Sequence, residues 1–286
     1  MRSKLFVPAI RPDLFPKAIR SDADAICFDL EDAVPSDRKS EARNHIAKFL
    51  SSSASATRKL LLVRVNAARS DDLIADLNAV AQPSLPVIAL PKVESSTEIQ
   101  EVANLLSTLE RERHIQNPIS LLITIESPHG LRSAHELAMA SPRICGLQLG
   151  FADLLEPLGI SSDQDFVRQQ IRLTLRLAAG EAGVDCYEAA YPQLHDHAGF
   201  VAQITAARSL GFSGVSCIHP SQIESANAVF TPTESEVTYA RRVIAAAQEA
   251  ERTGQAVAVL DGKMIDPPFV LRAQSILRQA AIPTEK

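Results

Sequence analysis

Between Lys4 and Ile218 the sequence alternates, eight times over, between a short run of bulky apolar residues and a segment with helical spacing. The apolar runs fall at 4–9, 25–30, 60–65, 87–90, 119–125, 144–150, 184–189 and 213–218. The helical segments between and after them fall at 12–21, 35–50, 71–81, 95–113, 133–140, 165–181, 198–210, 220–229 and 234–252. Runs this uniformly apolar suit strands buried on both faces. Short connections and the lack of a separate β region then predict a parallel α/β fold. With 286 residues, a closed (β/α)8 TIM barrel, typically about 250 residues, fits better than an open doubly wound sheet. No G-x-G-x-x-G follows any of the runs, which weakens the dinucleotide-binding version of that sheet. Beyond Arg252 come a short strand at 257–260, the turn Asp261-Gly262, MIDPP and a last helix. The expected division is a catalytic barrel at 1–252 and a C-terminal extension at 253–286 that lids a site or packs on a neighbouring subunit.

A net charge of −5 and a pI near 5.8 leave no basic footprint, so nucleic acid is not an expected partner. No run approaches the ~20 apolar residues of a membrane span, and MRSKLFVPAIRP at the start has no long apolar segment. The four cysteines, Cys27, Cys145, Cys186 and Cys217, contain no C-x-x-C pair and signal no zinc site. Cys27, Cys145 and Cys217 lie in apolar runs and are expected as buried free thiols. Reduced thiols without an export signal favour the cytoplasm. The polar stretch 51–57, SSSASAT, reads as a loop too short to link domains.

Charged residues gather where the runs stop. ISLLITIESPHG at 119–130 stays apolar up to Glu126, and Ser127-Pro128 then breaks the strand. A carboxylate at the end of a buried strand is costly unless it is paired or binds a cation; a solvated loop acid is the plainer alternative. Asp29, Glu31 and Asp32 close the second run, Arg64 ends the third, Lys92 follows the fourth and Asp153 follows the sixth. In a barrel these ends share one rim, where barrel enzymes build their sites. Two carboxylates from adjacent strands make a sparse oxygen site, suited to a Mg2+ ion that keeps waters. The planar fork of Arg64 suits a bidentate grip on a substrate carboxylate, or else a structural ion pair with Asp29 or Glu31. Metal and arginine together fit an α-keto or hydroxy acid, whose developing enolate or alkoxide the metal would stabilise.

The blocks LFVPAIRPDLFPKA, DADAICFDLEDAVPSDRKSEAR, VRVN, LPKVES, IESPHGL, LGFADL, GFSGVSCIHPSQI and DGKMIDPP resemble, in content and order, those of the citrate lyase β-subunit/malyl-CoA lyase family. That family lies within the HpcH/HpaI aldolase-citrate lyase superfamily, and the resemblance spans almost the whole chain. It implies a (β/α)8 barrel, Mg2+ and chemistry at C–C bonds in acyl-thioesters of hydroxy acids. Carried over by motif, it implies Glu126 and Asp153 as metal ligands and Arg64 as the holder of a keto-acid carboxylate. Glu31 and Asp32 would lie around the metal, and Arg11 and Lys17 would meet CoA phosphates. Asp266, in MID, would reach a neighbouring subunit's site as the acid/base for the thioester enolate, which implies a homotrimer or hexamer. His129 departs from the pattern, standing where the family commonly has arginine or a small polar residue. That leaves the metal site intact and opens the identity of the substrate.

The expected function is therefore a Mg2+-dependent lyase that cleaves a citryl-, citramalyl- or malyl-CoA type thioester to an acetyl thioester and a keto acid such as oxaloacetate, pyruvate or glyoxylate. A condensing synthase or a thioesterase would use the same residues, and an acyl-carrier protein could replace CoA. Lys92 as a Schiff-base lysine would give a class I aldolase instead, but the acids near it should raise its pKa. A non-catalytic subunit that binds thioesters is the reading from another class, and it would need no acid/base. Apart from the resemblance, Asp266 reads as a turn aspartate, His129 as an exposed loop residue and His219 as support for the eighth loop.

Overall fold

The computed structural model describes residues 1–52, 57–161, 164–255 and 257–280. Eight parallel strands, β1 (Ser3–Pro8), β2 (Ala25–Asp29), β3 (Leu60–Arg64), β4 (Val87–Leu90), β5 (Ser120–Ile125), β6 (Ile144–Leu149), β7 (Asp185–Glu188) and β8 (Gly214–Cys217), close into a barrel in sequence order. The seam is shut by Ser3, Lys4 and Leu5 of β1 against Val215, Ser216 and Cys217 of β8. The expected TIM-type architecture is what the chain adopts. Residues 53–56 of the polar stretch lie outside the described residues. Among the described residues no helix is long and apolar enough to cross a membrane.

Alternate residues of the strands fill the interior, where Ala25, Cys27, Leu62, Val87, Ala89, Leu122 and Tyr187 form one buried cluster. The opposite face of β2 packs outward, and Phe28 meets Phe15 and Phe49 edge-on at centroid distances of 4.6 and 5.0 Å. Each fully buried side chain of this size contributes about 1.5–3 kcal/mol. Helix ends follow local chemistry. Ser95 and Glu98 form a reciprocal capping box at the start of the Ser96–Glu112 helix, and Gly183, at φ 70°, stops the Asp165–Ala182 helix in the left-handed conformation.

Two local expectations are corrected, and one short element is added. The connection after β5 is not a plain loop. Ser127 caps a one-turn helix, Pro128–Arg132, with Pro128 in its first turn, so His129 sits on a helix. A second short helix, Phe151–Leu155, follows β6. Cys145 is exposed, unlike Cys27, Cys186 and Cys217. The pairing of β5 with β6 jumps from Leu121–Ile144 to Leu122–Gly146, leaving Cys145 as the extra residue of a bulge, turned away from the core.

The chain divides into two compact units, Met1–Asn227 and Ala228–Lys286. The second holds the Glu234–Arg252 helix, an antiparallel hairpin of β9 (Ala258–Leu260) and β10 (Lys263–Ile265), and the Pro267–Ala280 helix. The short strand before Asp261-Gly262 has a partner that its sequence did not announce. Both turn residues have positive φ, 51° and 76°, as a tight hairpin turn requires. Ala240, Val243, Ala250, Ala258, Ile265 and Ala273 form this unit's own core.

Candidate active site

Strand ends bring the charged residues of the barrel unit into one connected chain of contacts. Asp29, the last residue of β2, accepts from Nε and Nη2 of Arg64 at 2.7 and 2.6 Å. It also accepts from the backbone N–H groups of Glu31 and Ala33. Nη1 of Arg64 lies 3.0 Å from Glu31 Oε2, and Lys92 Nζ lies 2.6 Å from Glu31 Oε1 and 3.1 Å from Asp32 Oδ1. The backbone N–H of Lys92 donates to Glu126 Oε1 at 2.6 Å. Asp29, Arg64, Glu31, Lys92 and Glu126, carried by four different strand ends, are thus linked without a gap.

Glu126 is 5% exposed. Burial first, then the charges of Glu31 and Asp153, push its carboxyl up to about 8. One oxygen is held by Lys92, and the other faces Gly150, where an added Cβ would stand 2.6 Å from Oε2. Gly150 also donates its N–H to Ile125 O at 3.0 Å, drawing the end of β6 against the end of β5. Asp153 follows in the first turn of the Phe151–Leu155 helix and is exposed. That helix is anchored by Phe151, whose ring lies under the guanidinium groups of Arg168 and Arg172 at 5.3 and 5.4 Å. Arg172 is itself buried and pairs with the buried Glu188 of β7 through two hydrogen bonds of 2.9 and 3.0 Å.

Among the described residues, no three His, Cys, Asp or Glu side chains converge as a metal cage. Glu126 and Asp153 offer only carboxylate oxygens, and the charge of Asp153 reaches Glu126. Such a pair fits a hard cation that keeps several waters, as Mg2+ does. The raised carboxyl of Glu126 points the same way, because clustered acids are strained until a cation joins them.

The alternative reading of Arg64 as an ion pair is realised, since Asp29 occupies its Nε–Nη2 edge. Its Nη1 faces Glu31 Oε2 at 3.0 Å, so Glu31 stands beside the second edge. Phe6 lies against it, 4.9 Å from Cζ, with the buried Lys4 on the same ring at 4.8 Å. Burial lowers Lys92, but the hydrogen bond and charge of Glu31 and then of Asp32 outweigh it and raise its pKa, which opposes a neutral Schiff-base amine.

Arg11 is exposed and paired with Asp13, and Lys17 is exposed; among the described residues no ion pair joins either to the acid cluster. Asp266 belongs to the second unit, where its Oδ1 is buried with no hydrogen-bond partner among the described residues. His129 stands 3.9 Å from Glu94, and His219 caps its own loop by accepting from Ser221 N–H.

Two supports escaped the sequence reading. Lys39 is buried and donates to Leu30 O, Glu31 O and Asn66 Oδ1 at 2.6–2.7 Å, fixing the backbone that presents Glu31. Its only sequence signal is a lysine one helical turn into the segment after Glu31-Asp32. Gly150 is the other, and a glycine closing an apolar run was its signal.

Residues 2–220 match the HpcH/HpaI aldolase/citrate lyase family. The chain is 34% identical over 281 residues to the citrate lyase subunit beta of Haemophilus influenzae, covering 98% of this chain and 96% of that one. It is 37% identical over 280 residues to the (3S)-malyl-CoA thioesterase of Cereibacter sphaeroides, covering 98% and 94%. Among solved structures, CitE of Mycobacterium tuberculosis in complex with magnesium, acetoacetate and coenzyme A superposes with a TM-score of 0.76 at 31% identity, covering 98% of this chain and 99% of that one. The fold, the acidic strand ends and these likenesses agree, and the chain belongs to the HpcH/HpaI aldolase/citrate lyase family.

Proposed function

We propose that this protein is a Mg2+-dependent carbon–carbon lyase acting on a hydroxy-acyl thioester of the citryl-, citramalyl- or malyl-CoA type. The observation that carries the reading is Glu126, a buried carboxylate raised to about 8 by burial and by the charges of Glu31 and Asp153. Glu126 and Asp153 would hold the metal, with Glu31 and Asp32 beside it. When bound, a divalent cation supplies Lewis-acid charge to a developing anionic oxygen. The magnesium complex of the CitE relative supports this choice of ion.

Arg64, oriented by Asp29, receives the substrate carboxylate, which would share Nη1 with Glu31. As the substrate hydroxyl gives its proton to solvent, its C–O bond becomes C=O. The electron pair of the broken C–C bond moves to the α-carbon of the acetyl thioester. Asp266 of a neighbouring copy then returns a proton to that carbon. This role requires an oligomer, a trimer or hexamer, with the 253–286 extension closing a neighbour's site. The unpartnered Oδ1 of Asp266 supports it. Arg11 and Lys17, exposed cations after β1, would meet the phosphates of CoA. Four free cysteines suit a reducing cytoplasm.

The test is incubation with citryl-, citramalyl- and malyl-CoA plus Mg2+, identifying the keto acid released. No keto acid from any of them would refute the lyase. The thioesterase relative at 37% identity favours one second reading, hydrolysis of the thioester. The two separate on free thiol, because a lyase leaves CoA acylated and a thioesterase releases CoA with an intact hydroxy acid.

A further inference from the structure

Lys92 is the residue of the site whose backbone and side chain both face acids. At φ 53° it adopts the left-handed conformation that side-chain-bearing residues rarely take. That turn points its N–H at Glu126 Oε1, 2.6 Å away, while its ammonium sits between Glu31 Oε1 at 2.6 Å and Asp32 Oδ1 at 3.1 Å. A glycine would adopt the same backbone freely, so the N–H alone does not explain a lysine here.

Charge explains it. Among the described residues, Arg64 and Lys92 are the cations in ion pairs with Asp29, Glu31 and Asp32, and Glu126 and Asp153 add their charges to the same group. Fully ionised, the group carries three negative charges in excess, enough to attract more than one divalent ion. Asp29 already matches Arg64 through two hydrogen bonds. Lys92 is the cation that Glu31 and Asp32 share at close range, with Arg64 Nη1 also 3.0 Å from Glu31 Oε2. Two carboxylate oxygens on one small cation is also the arrangement a metal would demand of them, and Asp32 is half exposed, leaving water and ions a path to it.

We propose that the Lys92 ammonium acts as a built-in second cation, which occupies Glu31 and Asp32 and thereby confines the metal to Glu126 and Asp153. Lys92 is a positioning residue in this scheme, acting through carboxylates and never on substrate. The inference rests on the metal reading above. It adds that the count of ions, one per chain, is set by a side chain outside the ligand pair.

The experiment is calorimetric titration of Mg2+ into the full chain without substrate, for wild type, Lys92→Met, Lys92→Gly and Lys92→Arg. Wild type and Lys92→Arg are expected to bind one ion per chain, and Lys92→Met and Lys92→Gly two. Lys92→Gly keeps the N–H to Glu126 and relieves the positive φ, so it reports even where Lys92→Met fails to fold. One ion per chain in the glycine variant, or two in the arginine variant, overturns the inference while leaving the metal site standing. Wild type that takes up no Mg2+ overturns the metal reading itself, and the inference with it.

Discussion

Replacing Glu126 by glutamine should stabilise the metal-free protein, and the gain should depend on pH in a fixed direction. In the folded chain the carboxyl stays protonated to about pH 8, whereas in the unfolded chain it ionises near the ordinary 4.5. Between those values the native state binds more protons than the unfolded state, so rising pH costs stability. At 1.36 kcal/mol per pH unit, the full interval is worth at most about 5 kcal/mol, and partial relaxation of the site lowers the expected value to about 2–5 kcal/mol. The substituted amide does not titrate, and its oxygen can still accept the Lys92 N–H. Urea melts of both proteins in EDTA, from pH 5 to 9, should show curves that nearly coincide at the acid end. They should then diverge in favour of the variant and level off above pH 8. Mg2+ at a hundredfold excess over Kd should narrow that gap by about 2.7 kcal/mol, because only the wild type gains binding energy. Parallel pH profiles in EDTA would refute the claim that burial and neighbouring acids raise this carboxyl.

The same proton should govern metal affinity. Apparent Mg2+ affinity, followed by titration calorimetry, should fall about tenfold for each pH unit below 8, since a carboxylate must shed its proton to bind. A flat profile between pH 6 and 8 would contradict it. Gly150→Ala sets a Cβ 2.6 Å from Glu126 Oε2 and 2.7 Å from Glu126 Cβ. It should cut kcat by about a hundredfold, the scale of a one-ångström misplacement, while circular dichroism stays native. Arg172→Ala strands a fully buried Glu188 and should cost about 3–5 kcal/mol in urea melts, whereas Arg252→Ala, in its exposed pair with Glu249, should leave the melt almost unchanged.

The barrel was legible because period and length leave few alternatives. Apolar runs buried on both faces, separated by helical segments and returning eight times, admit little besides a closed parallel barrel. Elements depending on one or two residues were less legible. Nothing in ICGLQLG states that Cys145 is the surplus residue of a bulge, since the residues around it are apolar and register is set by pairing with β5. The one-turn helices at Pro128–Arg132 and Phe151–Leu155 carry too few residues to show a period. β10 was hidden because KMI is three residues long, and its partner across Asp261-Gly262 is no longer.

At the site, the residues that break an apolar pattern were readable, and the contacts between them were not. Asp29, Arg64 and Glu126 interrupt or end buried runs, where an unpaired charge is costly, so each invited a role from sequence alone. The roles of Lys92 and Gly150 depend on backbone geometry, a positive φ in one and a close approach in the other, and composition does not encode either. Arg64 shows how much this changes. Sequence offered substrate grip and structural ion pair as rivals, whereas the fold realises the second with Asp29 on one edge of the guanidinium and Glu31 at Nη1. A guanidinium tied by Asp29 loses little freedom when it meets a carboxylate, and Phe6 beneath it excludes water from one face. Lysine at position 64 would keep the charge but lose that division of edges. Arg64→Lys should therefore weaken substrate binding while leaving Mg2+ affinity near its wild-type value, and loss of both together would mean that Arg64 holds up the site as a whole.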